Sequence, residues 1–400
     1  MKSATAISYE LDDIKFAADE LVSQIKGKFT FGKNTVAMLH GQPDMDVGGL
    51  SAAVGEALGC QVFGGTTSAG AVFTNEGYHE LAVVLHVMSA DDCFFAATIS
   101  GSMETEPEKE IEETYQRAYA KLKAQDASAE PKMIICAAPM VQSYSSDDIL
   151  IKMSEICGHI PIFGYNAGDD FEFCKQQIFL DGDSGRDKLA MLLISGNIQP
   201  IFHTANLAGK QALDKSRVTK AEGNVIYEIE GERAYDYIKK FPFIDDETKA
   251  LFNYQFFVEL QSSEYNDGVP VSRALNVFDK ETGTVTCFAA VPQGSHIGLL
   301  YCDGNDVAAT SEAAMKDFSD KLKAAGDGYE YSNVLIVSCS LRNIFLADMR
   351  DKEGQIIKEF LPKGLISSGV HAFGEIAPTS VRNGKAANRF HNATFTICAF

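Results

Sequence analysis

A short segment rich in glycine and hydroxyl side chains is the first candidate for chemistry in this sequence. Residues 63–70 read F-G-G-T-T-S-A-G, and they offer backbone N–H groups and hydroxyls from Gly64, Gly65, Thr66, Thr67 and Ser68. Ala71 stands where a phosphate-binding P-loop needs lysine, and Thr66 stands where the nucleophile elbow of hydrolases needs glycine. Two interpretations remain: a structural turn, and a turn that lines a ligand pocket.

A second segment of the same kind lies about 100 residues further on. Residues 163–170 read F-G-Y-N-A-G-D-D, with Asn166 inside the turn and Asp169 and Asp170 at its end. Closely spaced carboxylates can hold a cation or an ammonium group. The spacing is not that of an EF-hand, so a solvated acidic loop is the alternative. We expect the two turns to face each other across one pocket.

An arginine at the end of an apolar run is the third candidate. Arg342 follows V-S-C-S-L, and a guanidinium in such a place must be paired or solvated. It either clamps the carboxylate of a ligand or forms a structural ion pair, for which Glu375 is the obvious partner. His371 and His391 flank this region. The eight histidines show no spacing typical of a metal site.

The elements around the two turns predict a mixed α/β fold with an internal duplication. Each turn follows an apolar strand and an amphipathic helix, and each precedes a hairpin. A period of about 100 residues is too long for a solenoid repeat. The predicted elements are the strands 34–41 and 133–138, the helices 46–58 and 146–157, and the hairpins 70–89 and 177–195. A turn-rich segment at 364–378 between apolar strands repeats this order a third time.

The domain organisation follows from these patterns. We predict an N-terminal extension (1–30), an N-terminal domain (31–222) and a related α/β C-terminal domain (223–400). The N-terminal domain contains the duplicated halves, about 31–126 and 127–208. The polar stretch 209–223 marks the boundary between the two domains.

Composition excludes several classes of partner. The formal net charge of −20 argues against nucleic acid and anionic membranes, which bind clustered lysine and arginine. No apolar run reaches the roughly 18 residues of a membrane helix. The nine cysteines lie mostly in apolar runs and form no C-x-x-C, which is typical of a reducing compartment. We therefore expect a cytoplasmic protein without membrane insertion.

Several motifs together resemble the FIST family (F-box and intracellular signal transduction), with its N- and C-terminal domains. They are the two turns, the junction V-T-K-A-E-G-N-V-I-Y-E-I (218–229), V-S-C-S-L-R (337–342), and the ending G-V-H-A-F-G-E-I-A-P (369–378) with F-H-N-A-T-F (390–395). Each motif alone is weak, whereas their order and spacing are specific. The chain departs from the family at residues 369–371, where an aromatic residue usually follows the glycine.

The resemblance implies a sensory protein that binds a small ligand, proposed in the family to be an amino acid or a similar metabolite. Such a protein signals to a separate partner, a histidine kinase or another signalling protein. With such a ligand, Arg342 would hold an anionic group, and Asp169 or Asp170 would hold an ammonium group. Two alternatives stay open: a sensor of nitric oxide that holds haem non-covalently through a histidine, and an enzyme that uses a buried carboxylate or thiol.

Overall fold

The computed structural model describes residues 1–28, 30–141, 144–241, 254–259, 269–325 and 328–400. For residues 211–214 and 254–259 it describes the backbone alone. The fold is mixed α/β, as predicted, with three six-stranded sheets and one seven-stranded sheet in the described part of the chain. We number the sheets 1 to 4.

The strands and helices are numbered in chain order. The strands are β1 (Lys2–Ser8), β2 (Asn34–Gly41), β3 (Gln61–Thr66), β4 (Ala71–Thr74), β5 (Gly77–Glu80), β6 (Val83–Ala90), β7 (Cys93–Ile99), β8 (Pro131–Ala138), β9 (Ile162–Asn166), β10 (Ile178–Leu180), β11 (Asp183–Gly185), β12 (Ala190–Gly196), β13 (Ile201–Asn206), β14 (Lys210–Glu222), β15 (Val225–Ile229), β16 (Glu232–Arg233), β17 (Tyr254–Glu259), β18 (Val271–Asp279), β19 (Thr284–Cys287), β20 (His296–Tyr301), β21 (Asn333–Cys339), β22 (Ile366–Ala372), β23 (Gly374–Arg382), β24 (Lys385–His391) and β25 (Thr394–Ala399). The α-helices are α1 (Ile14–Lys26), α2 (Val47–Leu58), α3 (Pro107–Gln125), α4 (Ser146–Ile156), α5 (Ala234–Lys239), α6 (Gly304–Ala324), α7 (Ser340–Leu346) and α8 (Lys352–Phe360).

Sheets 1 to 3 repeat one order of strands. Their orders are β1-β6-β2-β3-β10-β11, β7-β12-β8-β9-β23-β24 and β13-β25-β21-β22-β4-β5. The central pair is parallel in each sheet, and helices connect its two strands. We call the parts of the chain that contain these parallel pairs units 1 to 3. The sequence predicted the order of elements along the chain (strand, helix, turn, hairpin) for the first two units, but not the order of strands within a sheet. In the third unit, α7, α8 and β24 were missed, and the segment predicted as turn-rich is β22 and β23.

Each hairpin joins a different sheet from the strand that precedes the hairpin in the chain. The hairpin β4–β5 joins sheet 3, where Val72 is paired with Val370. The hairpin β10–β11 joins sheet 1, and β23–β24 joins sheet 2. The predicted hairpins 70–89 and 177–195 are therefore wrong in extent, because β6 and β12 leave the hairpin and pair with their own sheets. The N-terminal and C-terminal parts share hydrogen-bonded sheets.

The inner faces of the three sheets pack against each other, and helices cover the outer faces. One core cluster contains residues of all three sheets, among them Met38, Phe163 and Val337. Three further clusters join sheet 1 to α1 and α2, sheet 2 to α3 and α4, and sheet 3 to α6 and α8. This arrangement buries an apolar face of each amphipathic helix.

Sheet 4 has the order β14-β20-β17-β18-β19-β15-β16, and it closes on itself because β14 pairs with both β20 and β15. The polar stretch 209–223, predicted as a domain boundary, is thus almost entirely the strand β14, and its end is the turn of a hairpin. The segment 1–30, predicted as an extension, supplies β1 and α1 to the first unit. The division into domains stays a prediction.

Two buried histidines lie where the three sheets meet. His86 of β6 contacts Ser368 (2.8 Å) and Asn333 (3.0 Å) of sheet 3. His40 of β2 contacts the hydroxyl of Tyr165 in sheet 2 at 3.3 Å. Burial lowers the pKa of His40 to about 3 and the pKa of His86 to about 4. Both rings are therefore neutral in the folded protein at neutral pH.

We predict that this pair makes the fold sensitive to acid. Below the unfolded pKa of 6.5 the unfolded chain binds protons that the folded chain cannot, so stability is lost as pH falls from about 6.5 towards 4. Between pH 7 and pH 5 each histidine should cost on the order of 1–2 kcal/mol of unfolding free energy. Urea unfolding of His86→Asn should show a smaller loss between these pH values than the native chain. The exposed His159→Asn is the control and should keep the full loss; equal losses in both variants would contradict the prediction.

Candidate functional site

The two predicted turns, residues 63–70 (turn 1) and 163–170 (turn 2), do meet. A third turn, around Phe373 between β22 and β23 (turn 3), joins them. The amide of Ser68 in turn 1 donates to the carbonyl of His371 at 2.8 Å. In turn 2 the amide of Gly168 donates to the carbonyl of Thr66 at 2.9 Å. The amide of Phe373 in turn 3 donates to the carbonyl of Asn166 at 3.2 Å, which completes a ring of three contacts. The turns therefore contact one another directly through their backbones.

The small and polar side chains of these turns have internal partners. The hydroxyls of Thr66 and Ser68 donate to the carbonyls of Gly168 (2.7 Å) and Asp169 (2.8 Å). Thr67 donates to the carbonyl of His371 at 3.2 Å, and Asn166 donates to the hydroxyl of Ser146 at 2.6 Å.

The two glycines of turn 1 are packed closely. A Cβ on Gly64 would collide with the carbonyl of Leu39, and a Cβ on Gly65 would crowd Ala137 and Ala167. Glycine allows this approach because it has no side chain. The geometry favours the structural interpretation of turn 1.

Arg342 forms a buried ion pair with Glu353, so the predicted partner Glu375 is wrong. Both side chains are fully buried, and Nη2 of Arg342 lies 2.9 Å from Oε1 of Glu353. Ser338 donates to the other oxygen at 2.7 Å, and Nε2 of His371 lies 3.3 Å from it. Burial alone would raise the pKa of Glu353, but the charge of Arg342 and the contact of His371 lower it to about 2. The partner was missed because Glu353 belongs to α8, which was not predicted.

Glu375 is a buried carboxyl group with a different set of contacts. The amide and hydroxyl of Thr394 donate to Oε2 at 3.0 and 2.6 Å. Oε1 has no N–H or O–H partner among the described residues, and the thiol of Cys339 lies beside the carboxyl group. Burial raises the pKa of Glu375 to about 8, so it is mostly protonated at neutral pH. Its contribution to stability is present at low pH and is lost as pH rises through 8.

Asp169 shapes the loop that follows turn 2. It is buried, and its two oxygens accept the backbone N–H groups of Glu172, Phe173, Cys174 and Lys175 at 2.9–3.1 Å. The interpretation as a solvated acidic loop is therefore wrong for Asp169. Asp170 is exposed. Within this loop, Phe171 and Phe173 have positive φ angles of 64° and 56°. Such angles are strained for bulky side chains, and the fixed N–H groups hold them in place.

These two phenylalanines form one wall of an aromatic cavity of about 470 Å³. The ring of Phe173 stacks on Phe373 of turn 3, with centroids 4.7 Å apart, and on Phe288, with centroids 6.1 Å apart. The opposite walls are residues 274–276 of β18 and the start of α7, with Cys339, Ser340 and Leu341. Asn392 adds a polar group. The cavity lies at the ends of the parallel strands β21 and β22, where open α/β sheets bind ligands.

A second cavity, of about 520 Å³, adjoins the first and shares Phe173, Asn276 and Phe288 with it. Its wall is more polar, with Ser145, Ser146 and Asp148 at the start of α4. Gln176 also lines it. The two cavities lie between sheet 4, the start of α4 and the start of α7. They form the candidate binding site.

The predicted site residues lie beneath this site. Gly64, Gly65, Thr66, Thr67, Ser68, Asn166, Asp169, Asp170, Arg342, His371 and Glu375 are absent from the described linings of both cavities. Phe373 and Asn392 were not predicted, although both lie in the motifs G-V-H-A-F-G-E and F-H-N-A-T-F on which the family resemblance rests. Phe171, Phe173 and Phe288 carried no motif signal, since an aromatic side chain reads equally well as core.

Neither a metal site nor a haem site emerges from the described residues. No group of three or more His, Cys, Asp or Glu side chains is placed to hold a metal ion there. No histidine occurs in the described linings of the two cavities, so they offer a haem iron no histidine ligand. In the same part of the chain, every helix is too short or too polar to span a membrane.

Comparison with known proteins gives two family matches. The FIST N domain matches residues 35–232, and the FIST C domain matches residues 234–378. An uncharacterized protein of Methanocaldococcus jannaschii is 26% identical over 219 residues, which are 50% of this chain and 40% of that protein. The match thus spans less than half the length of that relative.

Two solved structures are similar at a low level. A chorismatase aligns with 93% of this chain and 94% of its own, with a TM-score of 0.38 and 7% identity. A cyanuric acid hydrolase from A. caulinodans aligns with 99% of this chain and 98% of its own, with a TM-score of 0.35 and 7% identity. Scores at this level carry no argument about function.

We predict that Arg342 is required for the fold. Arg342→Met leaves the charge of Glu353 buried without a partner, which should cost about 3–5 kcal/mol of unfolding free energy. Adding Glu353→Leu should restore part of this loss in urea unfolding. Arg350→Met is the matched control, because Arg350 is exposed and pairs with Glu80 only at 3.6 Å. A stable Arg342→Met variant that no longer responds to a ligand would instead support the clamp.

We also predict that Asp169 orders the aromatic loop. Asp169→Asn replaces one accepting oxygen by an NH₂ group that faces two backbone donors, which should cost about 1–3 kcal/mol. Hydrogen exchange of the amides of residues 172–175 should become faster while the core strands stay protected. The exposed neighbour supplies the control, Asp170→Asn, for which no change is expected. The same acceleration in both variants would rule out this role.

Proposed function

This chain belongs to the FIST family, and we propose that it is a sensor that binds a small ligand in the aromatic cavity beside turn 3. FIST domains are sensor domains of signal transduction. The proposal concerns where the ligand binds, what kind of ligand it is, and how binding is reported.

The observation that carries the proposal is the aromatic wall. Phe173 remains 42% exposed although it stacks on two other rings, and its backbone is held in a strained conformation. A protein that needed only a stable core would bury such a ring. A cavity with apolar walls and a few polar groups is the usual form of a small-molecule site, and backbone strain is typical of binding loops.

The same loop supports a way to report binding. A ligand in the cavity would contact Phe171 and Phe173, whereas the residues between and after them, Glu172, Cys174 and Lys175, are exposed. Occupation would therefore reduce the motion of a surface segment, and a partner could recognise this change. As the resemblance implies, we propose a histidine kinase or another signalling protein as the partner, and a cytoplasmic location.

The expected amino acid or small carboxylate is supported less well than an apolar ligand. The described linings of both cavities contain no Lys or Arg that could pair with a carboxylate. Arg342, the cation expected to do so, is committed to Glu353. Most of the wall of the first cavity is apolar or aromatic, and such walls favour a ligand with a large apolar part.

An enzymatic function is the second candidate, and one observation bears on it. Cys339 lines the cavity, and Glu375 lies beside the thiol. Burial raises the pKa of the Cys339 thiol well above its usual range and that of Glu375 to about 8. At neutral pH the thiol is thus protonated, and it is a poor nucleophile. These groups favour binding over covalent catalysis.

The test uses Nile red, a neutral dye that fluoresces in apolar surroundings. The native chain should bind one dye per molecule. Leu341→Trp fills the cavity and should weaken binding at least about tenfold, since the dye and the indole would occupy the same space. Leu81→Trp is the matched control, because Leu81 is 59% exposed and lies outside the cavity. Absent binding, or equal binding by both variants, would overturn the proposal.

A further inference from the structure

We infer that the two cavities form one two-part site for an aromatic amine, with the ring in the first cavity and the amino group in the second. This inference rests on the proposed function and adds the chemical class of the ligand. The two cavities share Phe173, Asn276 and Phe288, so one small molecule can reach both.

The first cavity suits a ring. Three phenylalanines in near-stacked or tilted contact form its wall, with Phe171 and Phe373 centroids 5.6 Å apart and Phe173 and Phe373 centroids 4.7 Å apart. A further ring placed against them gains apolar contact and an aromatic interaction. The faces of these rings also attract a positive charge nearby.

Two buried amide side chains that line the site each have an oxygen without a hydrogen-bond donor in the part of the chain that the structure describes. Gln176 is 3% exposed and lines the second cavity, and its Oε1 has no partner among the described residues. Asn392 is 1% exposed and lines the first cavity, and its Oδ1 is likewise unpaired within the described chain. A buried acceptor without a partner is unfavourable, and a ligand that donates to it removes this cost.

Charge favours a cation over an anion in the second cavity. Its described lining holds one charged side chain, the carboxylate of Asp148. The positive end of α4 would attract an anion, but Asp147 and Asp148 occupy its first turn. Asp147 is in turn paired with Arg273 at 3.2 Å, so this arginine is already committed. An ammonium group can donate hydrogen bonds to the Asp148 carboxylate and to the Gln176 oxygen, whereas both would repel a carboxylate.

The test compares three ligands with the same ring. Ethylbenzene has no polar group, 2-phenylethylamine adds an ammonium group, and phenylacetate adds a carboxylate. Displacement of Nile red and isothermal titration should give the order amine, ethylbenzene, carboxylate, with the amine bound about tenfold or more tightly than ethylbenzene because a hydrogen bond to a charged group is worth about 1.5–3 kcal/mol.

Two variants connect this preference to the second cavity. Gln176→Leu keeps the shape but removes the acceptor, so it should weaken amine binding about ten- to a hundredfold and leave ethylbenzene within about twofold. Gln177→Leu is the control next in sequence, and its side chain is not in either described lining. If Gln176→Leu does not fold, the exposed Asp148→Asn tests the same preference through the charge.

The outcomes separate this inference from the proposed function. If the native chain binds Nile red and ethylbenzene but prefers phenylacetate, or if the amine gains nothing over ethylbenzene, the inference is wrong and the aromatic site remains. An amine preference that Gln176→Leu and Asp148→Asn both leave unchanged also overturns it. If neither Nile red nor any of the three ligands binds, the proposed function fails first.

Discussion

The ring of hydrogen bonds among the three turns is the constraint on which the rest of the structure depends. Each turn ends a parallel strand pair and sends its hairpin to a neighbouring sheet, so each of the three sheets is completed by a hairpin from another one. The glycines fit this purpose, because a Cβ at Gly64 would collide with the carbonyl of Leu39, and a Cβ at Gly168 would collide with the Cβ of Ser68. The polar residues of the turns consequently serve assembly: their hydroxyls replace water at the junction of three sheets.

The same junction explains why polar side chains are buried in the interior of the protein. Residues on the inner faces meet two other sheets, and the histidine contacts lie at these meetings. The Arg342–Glu353 pair lies on the helix-covered face of sheet 3, where Ser338 contacts it. Such groups add little net stability over apolar residues, but removal of one partner is costly. The geometry is therefore specified by pairs that must form together.

The candidate site lies where the closed sheet 4 meets the body formed by sheets 1 to 3. Its floor is made by turn 3 and by the strands β21 and β22, which are rigid because they belong to the junction. Its wall is the loop after turn 2, which Asp169 holds by four backbone N–H groups. A rigid floor and a strained, partly exposed aromatic wall are what a sensor requires, since the wall can respond to a ligand while the floor stays fixed.

The sequence by itself determined the α/β class, most elements of the first two units, and the importance of the turns, because periodicity and glycine placement are local properties. It also placed Phe373 and Asn392 inside specific motifs. It could not determine which sheet each hairpin joins, nor that Arg342 pairs with Glu353, because these contacts join parts of the chain that no local pattern relates. Only the tertiary structure decided that the hydroxyls of turn 1 face inward and that four phenylalanines from distant segments surround a cavity. Burial and pairing are properties of the assembled chain, and the same residue types would have suited a ligand or a core equally well.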